Sequence, residues 1–422
     1  MTKDSQRRYA ALDGLRGIAS LIVFWVHVWI YQLPNTVELR RDGWEKMLLF
    51  EGRVAFVMFF VLSGFLLYRA FVRAGLGRSA PVAVRSYLVR RAARIAPAYY
   101  LALAGTLALL AAAGDVPGRR LVEAGELPLF LVFGQNYSPD TLLKFNAATW
   151  TLTVEVVFYL LLPVIGVAAL WLGRRPRRQA LLLGGLVLAG LVWNYVDWLA
   201  GWGPVASHTA VAFLPYFACG MLVALAVEVH RAAGRPPLGQ AASAGLVAGA
   251  VLLLVANGLW HTQGDHTSLE MEVFADSAAA AAFAAIIASL VLGTGLGVRW
   301  LGTPPLAWMG EIAYGFYLWH IPLLVLARGT GIFPPGIVLG LAVLPVAIAL
   351  GAASWYLVER PLMGRAARLP RSGAESAGVA GPAVEEDEAA TAARSGRSRS
   401  RTPARSGSRP ASSSGRAVAP RR

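Results

Sequence analysis

The sequence is poor in charge, in cysteine and in lysine. Only 15% of its 422 residues are charged, against about 25% in a soluble globular protein. With 56% of the residues hydrophobic, an ordinary cytosolic enzyme and a disordered chain are both excluded. The lone cysteine, Cys219, lies in an apolar run and cannot close an internal disulfide, which excludes a disulfide scaffold. No Cys/His cluster has zinc spacing, so no metal is expected. The basic residues are 36 Arg and only 3 Lys.

What the chain does have is apolar length. Mean hydropathy is +0.53, and runs of the roughly 17–25 residues that cross a bilayer recur from end to end. The chain reads as an all-α polytopic protein of the cell membrane. Ten spans are expected at about 18–34, 54–72, 95–113, 149–172, 180–199, 209–228, 241–259, 273–292, 305–327 and 337–357. Trp25, His27 and Trp29 inside the first run, with no small-residue cleavage site after it, argue against a cleaved signal peptide. Leu127–Phe133 is too short to cross and reads as a re-entrant or surface segment.

Orientation follows from basic residues. With a cytoplasmic N-terminus, the inner segments before the tail carry 17 Lys and Arg and the outer segments 8. The Arg73–Arg94 loop has six Arg and no acid, whereas Trp260–Glu272 has three acids and no Lys or Arg. Both termini are therefore expected in the cytoplasm. Of the net charge of +15, the stretch from Gly364 supplies +7. The apolar bulk makes the lipid bilayer, not nucleic acid, the partner of that charge. Residues 1–363 are expected to form one membrane-embedded domain. Residues 364–422, rich in Ser, Gly, Pro and Arg, are expected to be a disordered basic tail.

An ionisable residue within a span is costly and marks function by default. Arg16 and His27 are eleven residues apart, which places both on one helical face with an axial separation of about 16 Å. Asp13 is three residues from Arg16 and can pair with it. Arg91 and Arg94 share a face where a span leaves the cytoplasm, a geometry that suits phosphate, although positive-inside charge explains them almost as well. Glu155 lies roughly 9 Å into the fourth span, and His320 roughly 10 Å from the outer end of the ninth. His27 is about as deep, so His27, Glu155 and His320 are expected at one level, as a general-base site for a hydroxyl. Ser63-Gly64 reads as a close helix contact.

Several stretches then match a known family in order: Leu12-Asp13-Gly14-Leu15-Arg16-Gly17 with His27, Phe59-Phe60-Val61-Leu62-Ser63-Gly64-Phe65, Arg91-Ala92-Ala93-Arg94, Trp150-Thr151-Leu152-Thr153-Val154-Glu155, Tyr317-Leu318-Trp319-His320, and Trp355 through Glu359-Arg360-Pro361. Over about Tyr9–Pro361 the sequence resembles the acyltransferase 3 family of integral membrane acyltransferases. The resemblance implies ten membrane helices and transfer of an acyl group, commonly acetyl from cytosolic acetyl-CoA. The acceptor it implies is a hydroxyl of a cell-envelope glycan, a lipid-linked sugar or a natural product such as a macrolide. By similarity Arg16 and His27 are essential, and Arg91 with Arg94 serves acyl-CoA.

The expected enzyme is thus an O-acyltransferase with acyl-CoA, in its acetyl form, as donor substrate: Arg16, Arg91 and Arg94 bind the donor, and His27 is the base. Glu155 or His320 orients His27 as a carboxylate does in a catalytic triad. Direct and relayed transfer both stay open. The alternative from another class is a proton-coupled transporter of a small polar solute, since buried His and Glu in ten spans suit it too.

Overall fold

The structure is a computed structural model that describes residues 3–32, 52–113, 122–172, 175–262, 266–293 and 295–369. Among the described residues ten helices are long and apolar enough to cross a membrane. They are α1 (Lys3–Gln32), α2 (Ala55–Gly75), α3 (Val84–Ala112), α4 (Trp150–Trp171), α5 (Pro176–Ala200), α6 (Leu214–Ala232), α7 (Gln240–Thr262), α8 (Asp276–Leu292), α9 (Pro304–Thr330) and α10 (Ile337–Ser354). Among the described residues there is no β-strand, only an isolated bridge between Leu238 and Gly293. The tail from residue 370 lies outside the described residues.

Two helices begin earlier than hydropathy alone predicts. α1 starts at Lys3 and α3 at Val84, before the expected 18 and 95. The added turns are polar but rich in Arg, Ala and Leu, which favour helix, so the arginines of the Arg73–Arg94 loop sit largely on helix. Leu127–Leu131 forms a single short helix.

α9 is the most enclosed span, and α5 and α7 the least. α1 packs most extensively on α9, and α2 on α6. Lipid gives helices no hydrophobic reason to associate, so close packing of small residues has to do it. A Cβ on Gly64 of α2 would collide with the Phe217 carbonyl of α6, and one on Gly220 with the Val61 carbonyl. Beside this contact Phe158 stacks on Phe217 at 3.8 Å. The same interface carries a buried ion cluster in which Glu228 takes Arg69 at 2.9 Å and Arg231 at 3.5 Å.

Candidate active site

The positioning of His320 begins with a proline. Pro322 has no N–H to give to the Leu318 carbonyl one turn back. Asn146 replaces it, its Nδ2 donating to Leu318 O at 2.8 Å. That bond ties the segment between α3 and α4 to α9 beside His320. The segment is strained, with Phe133, Leu143 and Phe145 all at positive φ, a conformation costly for bulky side chains. It is held by Tyr99, whose hydroxyl donates to Phe130 O at 2.8 Å, and by Gln135, which donates to Thr149 O at 2.9 Å.

α1 and α9 bring the two histidines together. The His27 and His320 rings are 4.9 Å apart, with His320 Nε2 3.3 Å from His27 Nδ1. Backbone carbonyls fix both tautomers, because a carbonyl oxygen only accepts. His27 Nδ1 lies 2.8 Å from Val23 O and His320 Nδ1 2.6 Å from Tyr317 O, so each Nδ1 carries its hydrogen. His320 Nε2 then presents a lone pair to the His27 Nδ1–H, which it shares with Val23 O, and the lone pair of neutral His27 resides on Nε2. Such a pair can serve as an orienting group and a base.

Two cavities meet near this pair. The first is lined by Arg16, Arg91, Arg94, Ser63, Glu155 and Tyr314 among others, and holds about 940 Å³ including its open part. The second, also about 940 Å³, contains His27 with Trp150, His208, Phe213, Glu272 and Asp276. Phe56, Thr151 and Tyr317 line both. The Tyr317 hydroxyl donates to Ala148 O at 2.8 Å and lies 2.9 Å from Thr151 Oγ1, so the septum is pinned to the start of α4.

In the arginine cavity each guanidinium is held differently. Asp13 pairs with Arg16 at 2.8 Å, at the i,i+3 spacing. Arg94 faces buried Glu359 at 3.7 Å and lies over the Trp355 ring at 5.2 Å. Arg91 forms no ion pair with a described residue, and its Nε is buried without a hydrogen-bond partner. Three cations, of which Arg91 has no ion-pair partner among the described residues, can receive a multiply charged anion beside the one carboxylate of this wall, Glu155.

The structure joins His27 to His320 and gathers Arg16, Arg91 and Arg94, but it puts Glu155 with the arginines. Ser63 Oγ donates to Glu155 Oε1 at 2.7 Å. Thr151, one turn earlier on α4, is the residue that reaches both cavities. Depth along a span says nothing about the direction in which a side chain points, which is why Glu155 was expected beside His27. The sequence reading also passed over Arg53 and Asp276, whose side chains meet at 2.8 Å across 223 residues. The available signal was an aspartate at the head of an alanine-rich apolar run. His208, between α5 and α6, packs on Trp150 at 4.9 Å, and burial lowers its pKa. Among the described residues no three His, Cys, Asp or Glu side chains converge to hold a metal ion.

A bundle of ten apolar helices among the described residues, with a histidine pair at one of two adjoining cavities, defines a multi-pass membrane protein. The family model described as an acyltransferase domain matches residues 9–356, and the chain belongs to the acyltransferase 3 family. It is 28% identical to nodulation protein 10 of Rhizobium leguminosarum bv. viciae over 83% of this chain and 92% of that protein. It is 27% identical to the acyltransferase MdmB of Streptomyces mycarofaciens over 84% of this chain and 92% of that one. A candidate peptidoglycan O-acetyltransferase of Bacillus subtilis (strain 168), YrhL, is 26% identical over 85% of this chain and 56% of its own length. No solved structure matches. Family membership supports the first of the two sequence readings: the chain is a membrane acyltransferase.

Proposed function

We propose that the protein transfers an acyl group, acetyl in the simplest case, from acyl-CoA in the arginine cavity to an acceptor hydroxyl in the histidine cavity. The observation that carries this reading is the pair of cavities sharing Phe56, Thr151 and Tyr317. One is suited to a polyanion and the other holds a base. The basic-residue count assigns the arginine cavity to the cytoplasmic side, where acyl-CoA is available.

His27 Nε2 takes the proton of the acceptor hydroxyl as its oxygen attacks the thioester carbonyl. The tetrahedral intermediate collapses, the C–S bond breaks, and the imidazolium returns the proton to the departing thiolate. His320 holds the His27 Nδ1–H throughout and steadies the charged ring. Glu155 belongs to the donor side, where Ser63 fixes its carboxylate beside the arginines. Direct transfer needs only this one base. A glycan, a lipid-linked sugar or a natural product such as a macrolide would each present a suitable hydroxyl, and one relative is named for O-acetylation of peptidoglycan.

The test is release of CoA from acetyl-CoA by purified protein in nanodiscs, with and without an acceptor extract from cell envelope or culture medium. Acceptor-dependent release supports the reading. Acetyl-CoA that neither binds nor turns over with any extract would contradict it for the acetyl donor.

A further inference from the structure

The histidine cavity has an acidic wall that the transfer chemistry does not use. Glu272 and Asp276 both line it. They sit at the entry to α8, where Glu270–Ala275 winds as a π-helix, a local widening that is frequent at functional sites. Asp276 is buried and committed, accepting from Arg53 Nη2 at 2.8 Å. Arg53 is the one Arg or Lys among the described residues of this wall. No described side chain hydrogen-bonds the Glu272 carboxylate; Asp276 and Asp197 act on it electrostatically as like charges, and Arg53 as the opposing charge. His208, the other histidine lining the cavity, adds no compensating charge at neutral pH, because burial favours its neutral form.

A second observation points to a ligand. Asn194 is 2% exposed and lines the same cavity. Its Nδ2 donates to Ala212 O at 3.2 Å, which fixes the amide orientation. Its Oδ1 is buried without a donor. A buried acceptor left unsatisfied costs free energy comparable to a lost hydrogen bond. The wall therefore offers an uncommitted carboxylate and an unpartnered carbonyl oxygen, both lacking a donor, beside the aromatic faces of Trp150, Phe213 and Phe56. Carboxylate, amide oxygen and aromatic faces together complement an ammonium group.

We propose that Glu272 and Asn194 form a subsite for a protonated amine on the acceptor, so that the acceptor is a hydroxyl-bearing amine such as an amino sugar. This rests on the reading that the acceptor enters the histidine cavity. Asp276 and Arg53 brace the wall and take no part in the contact.

Purified full-length protein in nanodiscs is titrated with three probes: octyl 2-amino-2-deoxyglucoside, its N-acetyl derivative and octyl glucoside. Binding is followed without acyl donor in wild type, Glu272→Gln and His27→Ala, each checked for an unchanged melting temperature. The wild type should bind the amine about tenfold more tightly than either neutral probe, the scale of one charge-assisted hydrogen bond. In Glu272→Gln the preference should fall to within about threefold. Asn194→Leu, which removes the orphaned oxygen at similar volume, should weaken amine binding in the same direction. Equal binding of the three probes, no binding of the amine, or a preference that survives Glu272→Gln overturns the proposal. His27→Ala should keep the amine preference. A His27→Ala protein that still transfers acyl groups while binding amines selectively would contradict the assigned base and leave this subsite standing.

Discussion

His320 Nε2 stands 3.3 Å from His27 Nδ1 although 293 residues separate the two along the chain. The Tyr317 and Val23 carbonyls fix both rings, so the contact has a direction: His320 accepts from His27, and the lone pair of neutral His27 lies on Nε2, the atom proposed as the base. His320→Ala should lower turnover about 10- to 100-fold, the worth of one hydrogen bond to a group that becomes charged. The KM for donor should move little. A purely structural role would instead lower KM affinity, turnover and melting temperature together. Steady-state kinetics as a function of pH separates the two, because loss of the acceptor also shifts the acid limb of the rate profile.

Arg91 and Arg94 should behave differently despite sharing a helix face. Arg91 has no described ion-pair partner, so Arg91→Ala should raise the donor Kd about tenfold or more with little change in stability. Arg94→Ala strips the partner from Glu359, which is fully buried with its Oε2 unbonded. It should weaken donor binding and also destabilise the fold, by about 3–5 kcal/mol as for a broken buried pair. Acetyl-CoA binding together with thermal unfolding of the two variants in detergent checks the split.

Tyr317 belongs to the wall between the cavities, and its hydroxyl is anchored to Ala148 and Thr151. Tyr317→Ala should open the septum and admit water to the thioester. Hydrolysis of acetyl-CoA without acceptor should rise while transfer to acceptor falls. Tyr317→Phe, which keeps the ring, should show far less uncoupling. Measuring CoA release with and without acceptor distinguishes the outcomes.

His208 predicts a pH dependence. Burial lowers its folded-state pKa from 6.5, so on acidification the unfolded chain takes up this proton before the native protein does. Stability contributed by the neutral ring is therefore present above about pH 6.5 and is lost as pH falls below it. The drop in melting temperature between pH 7.5 and 5.5 should be larger in wild type than in His208→Gln. An equal drop in both would show that the ring is free to charge in place.

Much of this was legible before any coordinates. Hydropathy gave the ten spans because each must cover the bilayer. The family motifs carried Arg16, His27, Arg91 and Arg94 because their residue types stand at fixed spacings. The early starts of α1 and α3 were missed because hydropathy is blind to polar turns that are nonetheless good helix. Depth puts Glu155 level with His27, yet it lines the arginine cavity, because rise per residue gives depth and not azimuth. Arg53–Asp276 and the orphaned Asn194 oxygen were out of reach for another reason: they arise between α8, α5 and the head of α2, and no local pattern links those segments. The lone Asp276 in its apolar run was the only trace.

The most direct test of the central claim is transfer of label from radiolabelled acetyl-CoA to acceptor in membranes carrying wild type or His27→Ala at matched expression. The account predicts labelled product with wild type and a loss of about 100-fold or more with His27→Ala, the usual contribution of a general base. Donor binding through the arginines should be retained. Undiminished labelling in His27→Ala would contradict it.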